Sequence, residues 1–136
     1  MGDEKPWRLV YYVGKSGKCP VEDFLDRLSH ADAHAYVALI ELYLPAIKEQ
    51  GPSVGEPIFK YLTNLNLPGL GEIRWRANRA TYRIYVGIES DRRIVFYLGV
   101  KKKRFEFSRK DQARVRQRYN DYHSAEYSAV ARRRPR

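Results

Sequence analysis

The chain has 136 residues and a formal charge of +10, which suits one domain with one modest core. No apolar run approaches the roughly 20 residues of a membrane span and no signal-peptide pattern opens the chain, so a cytoplasmic protein with no membrane partner is expected. The lone cysteine, Cys19, excludes an intrachain disulfide and a cysteine-rich zinc site, and reads as a buried or idle thiol.

Residues 7–13 (WRLVYYV) are rich in aromatic and branched side chains and end at Gly14, which predicts a strand. Pro20 then opens a helix with Val21, Phe24, Leu25 and Leu28 on one face. Ser29 or Asp32 can cap a second helix, with Val37, Ile40, Leu44 and Ile47 as its stripe. Pro45 should kink or shorten that helix, because it removes a backbone donor. Gly51-Pro52 stops it, and the pair forms a helical hairpin. Residues 52–70 read as mostly loop, with a short turn or helix at 58–62.

Three strands follow. In residues 71–76, Ile73 and Trp75 alternate with Glu72, Arg74 and Arg76. In residues 79–88, Tyr82, Ile84, Val86 and Ile88 alternate with Thr81, Arg83 and Tyr85. Asn78-Arg79 marks a tight hairpin between them. Residues 92–100 form the third, almost wholly apolar from Ile94 to Leu98, as in a central strand. A last helix spans residues 108–122, where Ser108 and Asp111 resemble a capping box and Val115, Tyr119 and Tyr122 share a face. The order is β-α-α-β-β-β-α. It implies an α+β fold, a small antiparallel-rich sheet packed on an N-terminal helical hairpin, with a C-terminal helix. Residues 1–124 are expected to form the domain and residues 125–136, ending RRRPR, a basic disordered tail.

The charge is divided unevenly. Residues 1–65 hold 7 Lys+Arg against 9 Asp+Glu, and residues 66–136 hold 19 against 7. Such a division suits one face built for a polyanion. Alternation predicts that Ile73, Trp75, Tyr82, Ile84, Phe96 and Leu98 bury one sheet face against the hairpin. Arg74, Arg76, Arg83, Tyr85 and Tyr97 then share the other. Arginines beside aromatic rings suit RNA, holding phosphates while rings stack on splayed bases. Lys101, Lys102, Lys103 and Arg104 end the last strand. With Arg109, Lys110, Arg114, Arg116 and Arg118 they make a dense anion site.

Other chemistries lack their residues. His30 and His34 have helical metal-pair spacing but no third ligand, and His123 stands apart. There is no P-loop and no dinucleotide fingerprint, so neither metal nor cofactor is expected. The acidic residues of the basic half do not cluster as a metal-dependent nuclease requires. Glu72 beside Arg74 reads as an ion pair rather than a catalytic base.

Several segments resemble phage-derived, RelE/HigB-like toxins of the RelE/ParE superfamily. Residues 20–25 (PVEDFL) resemble their "PVxxFL" opening, and residues 57–62 (PIFKYL) their "P.xKxL" stretch. Residues 69–74 (GLGEIR) are similar to "GLxELR" and residues 82–85 (YRIY) to "YRILY". Val100 with Lys102-Lys103 is similar to "FxKK". The resemblance covers about residues 7–122. It implies the toxin of a type II toxin–antitoxin system that cleaves mRNA in the ribosomal A site without a metal, the RNA's own 2′-hydroxyl attacking the adjacent phosphate. It further implies a cognate antitoxin and a toxin–antitoxin hetero-oligomer. By position, Arg83 and Arg74 are the phosphate-stabilising candidates. Lys102 and Lys103 would hold RNA or move a proton. Arg76, Tyr85 and Tyr97 would position and stack it, with Lys101, Arg104, Arg109, Lys110 and Arg114 as further RNA contacts. Leu98-Gly99-Val100 stands where the family has "HGF", which argues against a histidine acid–base scheme. Phe107-Ser108 replaces the usual "TP". The rival expectations are a ParE-like toxin that poisons gyrase and a non-catalytic RNA-binding module.

Overall fold

The computed structural model describes residues 5–102, 107–124 and 126–127. The fold is α+β. Its five-stranded sheet runs in the order β1 (Arg8–Tyr11), β5 (Arg93–Lys102), β4 (Ala80–Ile88), β3 (Leu70–Ala77), β2 (Phe59–Tyr61). Only β1 is parallel to its neighbour. The segment at 58–62, expected as a turn or helix, is the edge strand β2. Its Phe59 side chain enters the core while Lys60 and Tyr61 stay exposed.

The hairpin consists of α1 (Pro20–Ala31) and a second arm made of α2 (Ala33–Ala38), one wide turn (Leu39–Tyr43) and α3 (Leu44–Gln50). Val21, Phe24, Leu25 and Leu28 of α1 are all buried, as the spacing predicts. Asp32 caps α2, its carboxylate accepting from the Ala35 amide at 3.1 Å. The predicted stripe of the second arm is half right. Leu44 and Ile47 are buried, but Val37 and Ile40 are 46% and 39% exposed, and Ala35 and Leu39 take their places. The buried positions 35, 39, 44 and 47 include one step of five. At that step the Leu44 amide bonds the Leu39 carbonyl, a π-type turn that holds one extra residue. Pro45 follows at once, in the first turn of α3. There its missing N–H is tolerated, so the arm continues where a regular helix would break.

A second irregularity governs the sheet. Tyr85 pairs with Leu98 but Val86 pairs with Phe96, so β5 carries a bulge at Tyr97. Ile94 and Phe96 face the hairpin with Ile73, Trp75, Tyr82 and Ile84. Beyond the bulge the alternation inverts. Leu98, assigned by alternation to the hairpin face, packs with Tyr85 and Val100 on the other. Gly99 instead looks toward the hairpin, where an added Cβ would lie 2.3 Å from Phe24.

That other face is not open. Helix α4 (Arg109–Tyr122) lies on it, Val115 packing with Leu65, Leu67, Leu70, Tyr85 and Leu98. Ser108 caps α4 as expected, accepting from the Asp111 amide at 3.1 Å. Tyr122 packs with Tyr12, Val95 and Tyr97. Tyr127, read as tail, is also buried there, and its hydroxyl accepts from the Val13 amide at 2.9 Å. Residues 128–136 of the expected tail lie outside the described residues.

Candidate nucleic-acid interface

The register puts Glu72, Arg74 and Arg76 of β3 opposite Tyr85, Arg83 and Thr81 of β4. The expected arginine row therefore exists, but its members differ in depth. Arg76 is exposed and Arg74 is half-buried. Arg83 is only 4% exposed. Its guanidinium lies 3.5 Å from Glu72, which is equally buried. The ion pair foreseen between Glu72 and Arg74 thus forms with Arg83. A buried pair of this kind holds structure, because either charge left alone would be strongly unfavourable.

The stacking role expected of Tyr85 and Tyr97 is overturned, because both rings are fully buried. Phe107 stacks on Tyr85 with ring centroids 4.1 Å apart, and Tyr97 is enclosed by Tyr12, Tyr119 and Tyr122. Burial pushes the Tyr85 phenol up to about 12 and the Tyr97 phenol higher still, so both stay neutral. Alternation identified their face, but the segments that cover it come from elsewhere in the chain.

The lysine run divides at the end of β5. Lys101 is exposed. Lys102 donates to Asp111 at 2.9 Å, with both side chains largely covered, and so ties the sheet to α4. Lys103 and Arg104 lie outside the described residues. Arg109, Lys110 and Arg114 are exposed on the first turns of α4. Arg118 instead donates to the Tyr97 carbonyl at 2.7 Å and helps hold the helix down.

What remains open is one end of the sheet. A cleft of about 600 Å³ is lined there by Asp32, Arg76, Arg79, Thr81, Lys101 and Lys102. Arg79 arrives on the two-residue β3–β4 hairpin, closed by the Ala77–Ala80 pair. Asn78 beside it takes the left-handed backbone, φ 57°, that asparagine tolerates. Asp32 comes from the hairpin turn and accepts from the Tyr82 hydroxyl at 2.5 Å. That hydrogen bond holds the Asp32 carboxyl below its ordinary range. Burial, followed by the same bond, raises Tyr82 to about 12. The cleft is therefore a cationic site with one fixed carboxylate. Asp32, Arg79 and Thr81 were not among the predicted site residues. Arg79 was visible only as a turn residue and Asp32 only as a helix cap.

Another cleft is different in kind. A cleft of about 620 Å³ between α1 and the second arm has Leu9, Tyr11 and Leu25 in its lining and Glu22, Asp23 and Asp26 among its polar residues. His30 and His34 are exposed, and His123 lies 2.9 Å from Glu89. Among the described residues no group of three or more His, Cys, Asp or Glu could hold a metal ion. None of the helices in the described residues is long and apolar enough to cross a membrane.

A family model described as phage-derived protein Gp49-like (DUF891) matches residues 23–120. The match runs from the first turn of α1 almost to the end of α4 and so includes both walls of the cationic cleft. No curated protein matches the chain.

Proposed function

The chain belongs to the Gp49-like, phage-derived family of RelE/HigB-like toxins, and from that premise we propose that it is a ribosome-dependent, metal-independent mRNA endonuclease. The family fits the toxin of a toxin–antitoxin pair and suggests an antitoxin partner. The observation that carries the nuclease reading is the cationic end of the sheet, where Arg76, Arg79, Lys101 and Lys102 surround one cleft and Arg74 stands on the adjoining stretch of β3.

In this reading the substrate supplies its own nucleophile. The 2′-oxygen bonds to phosphorus, the bond from phosphorus to the 5′-oxygen breaks, and the products are a 2′,3′-cyclic phosphate and a 5′-hydroxyl. Arg74, Arg76 and Arg79 face the pentacoordinate phosphate, whose added charge they stabilise more than that of the ground state. Asp32, the carboxylate in the cleft lining, takes the 2′-hydroxyl proton, and Lys101 of the same lining supplies one to the leaving 5′-oxygen. Arg83 acts from below, as a positioning residue, by fixing Glu72 and the β3–β4 register. Arg109, Lys110 and Arg114 extend the cationic surface along α4 and would contact backbone phosphates.

The test is tightly controlled expression of wild type beside an Arg76→Ala/Lys101→Ala variant, with mRNA 5′ ends mapped genome-wide. Both substituted side chains are exposed, so folding should be preserved. New cuts inside translated frames, lost in the variant, support the nuclease. Growth arrest with intact mRNA and DNA-damage signalling would replace it with gyrase poisoning. Salt-sensitive RNA binding without arrest would replace it with a binding module.

A further inference from the structure

Beside the cationic cleft lies a second, smaller pocket of about 380 Å³, lined by Tyr43, Pro57, Ile58, Arg74, Trp75, Arg76 and Thr81. The two share Arg76 and Thr81, so a ligand can occupy both at once. Their linings differ in kind. The cleft is mainly cationic, whereas the pocket has aromatic and aliphatic walls with the two arginines at one side. A volume near 380 Å³ is at the small end of ligand pockets and is ample for a planar heterocycle.

The backbone at this pocket is equally informative. In an antiparallel pair, successive residues direct their N–H and C=O alternately to the two neighbouring strands. The Ala77–Ala80 pair closes the two-residue hairpin, so Ala77 and Trp75 direct their polar groups to β4. Glu72 and Arg74 direct theirs to β2, as the bond from the Arg74 amide to the Ile58 carbonyl at 2.8 Å confirms. Arg76 is the next residue on that side. Strand β2 begins only at Phe59, and the chain turns away at Glu56-Pro57. The N–H and C=O of Arg76 therefore face an open edge, at the pocket. A donor and an acceptor side by side match the edge of a nucleobase. One residue of open edge is too short to recruit a peptide strand.

We infer that this pocket is a nucleobase subsite. A base lies between the Tyr43–Pro57–Ile58 wall and the Arg74 and Arg76 side chains, with its polar edge on the Arg76 backbone and its 3′- or 5′-phosphate in the adjoining cleft. The inference rests on the RNA reading of the cationic cleft and adds to it a place where the base next to the bound phosphate is read.

The experiment is a titration of the full-length, ¹⁵N-labelled protein with adenosine 5′-monophosphate, uridine 5′-monophosphate and ribose 5-phosphate at matched ionic strength. All three should shift the amides of Arg79, Thr81 and Lys101. Only the two nucleotides should shift the amides of Tyr43 and Ile58, which line the pocket and not the cleft, and they should bind about tenfold more tightly than ribose 5-phosphate, as one base contact of ordinary strength provides. An Ile58→Trp variant, which fills the pocket, should lose that advantage and keep its ribose 5-phosphate affinity. Equal binding of all three by the wild type, with no response at Tyr43 or Ile58, overturns the base subsite and leaves the cationic face standing. No response to any of the three overturns both.

Discussion

Removing the Arg83 guanidinium would leave Glu72 charged and enclosed, the situation in which a broken buried pair costs about 3–5 kcal/mol. Arg83→Ala is therefore expected to lower unfolding stability by that order, measured by urea denaturation, and to lose RNA cleavage because the sheet loosens. The combined Glu72→Met/Arg83→Met variant removes both charges and should regain most of the stability, while any residual effect on cleavage then reports positioning. Alternation placed Arg83 on the correct face. Its depth was not legible, because depth depends on where α4 and the 62–70 loop come to rest. The buried tyrosines make a separate prediction. Burial raises Tyr85 from its ordinary value of 10 to about 12, so the folded state favours the neutral phenol. That contribution is fully present below pH 10 and is lost as pH rises from 10 through about 12. Tyr85→Phe should flatten the loss of stability across that interval when unfolding is followed at stepped alkaline pH.

Two insertions of a single residue separate the elements as read from those observed. Helical and strand periods were counted as if unbroken. The π-type turn at Leu39–Tyr43 moved the buried stripe from Val37 and Ile40 to Ala35 and Leu39. The β5 bulge moved Leu98 across the sheet. Neither leaves a strong mark in sequence, although Pro45 signalled that the second arm could not be regular. In the elements without such insertions, α1 and the β3–β4 hairpin, the face taken by each side chain was legible, though not its depth on β4. The bulge also has a checkable energetic consequence. Gly99 faces the hairpin only because of it, and a Cβ there would lie 2.3 Å from Phe24. Gly99→Ala should therefore destabilise by about 1–3 kcal/mol, as overpacking does. Pairing it with Phe24→Leu should recover part of the loss. If Gly99→Ala is neutral in thermal unfolding, the inverted alternation beyond Tyr97 is wrong.

Across the whole molecule, the charge division read from the sequence becomes a spatial one. The hairpin from the acidic half bounds a cleft with Glu22, Asp23 and Asp26. The basic half supplies most of the cationic sheet end and the exposed arginines of α4. The sequence could state that a polyanion-binding side exists, but not which basic residues are free on it, because Arg83 and Arg118 turn inward to hold the fold and Lys102, in the cleft lining, is paired with Asp111. Salt dependence separates the two groups. Each cation that neutralises a phosphate of single-stranded RNA contributes about 0.7 to the slope of log affinity against log salt. Arg74→Ala, Arg76→Ala, Arg79→Ala and Lys101→Ala should each reduce the slope by about that amount, measured by fluorescence anisotropy with a short unstructured RNA. A Glu22→Gln/Asp26→Gln variant should leave the slope nearly unchanged, since neither carboxylate lines the cationic cleft. A slope that rises for the Glu22→Gln/Asp26→Gln variant by as much per charge as it falls for the cationic ones would mean that the net charge, rather than this face, attracts the RNA.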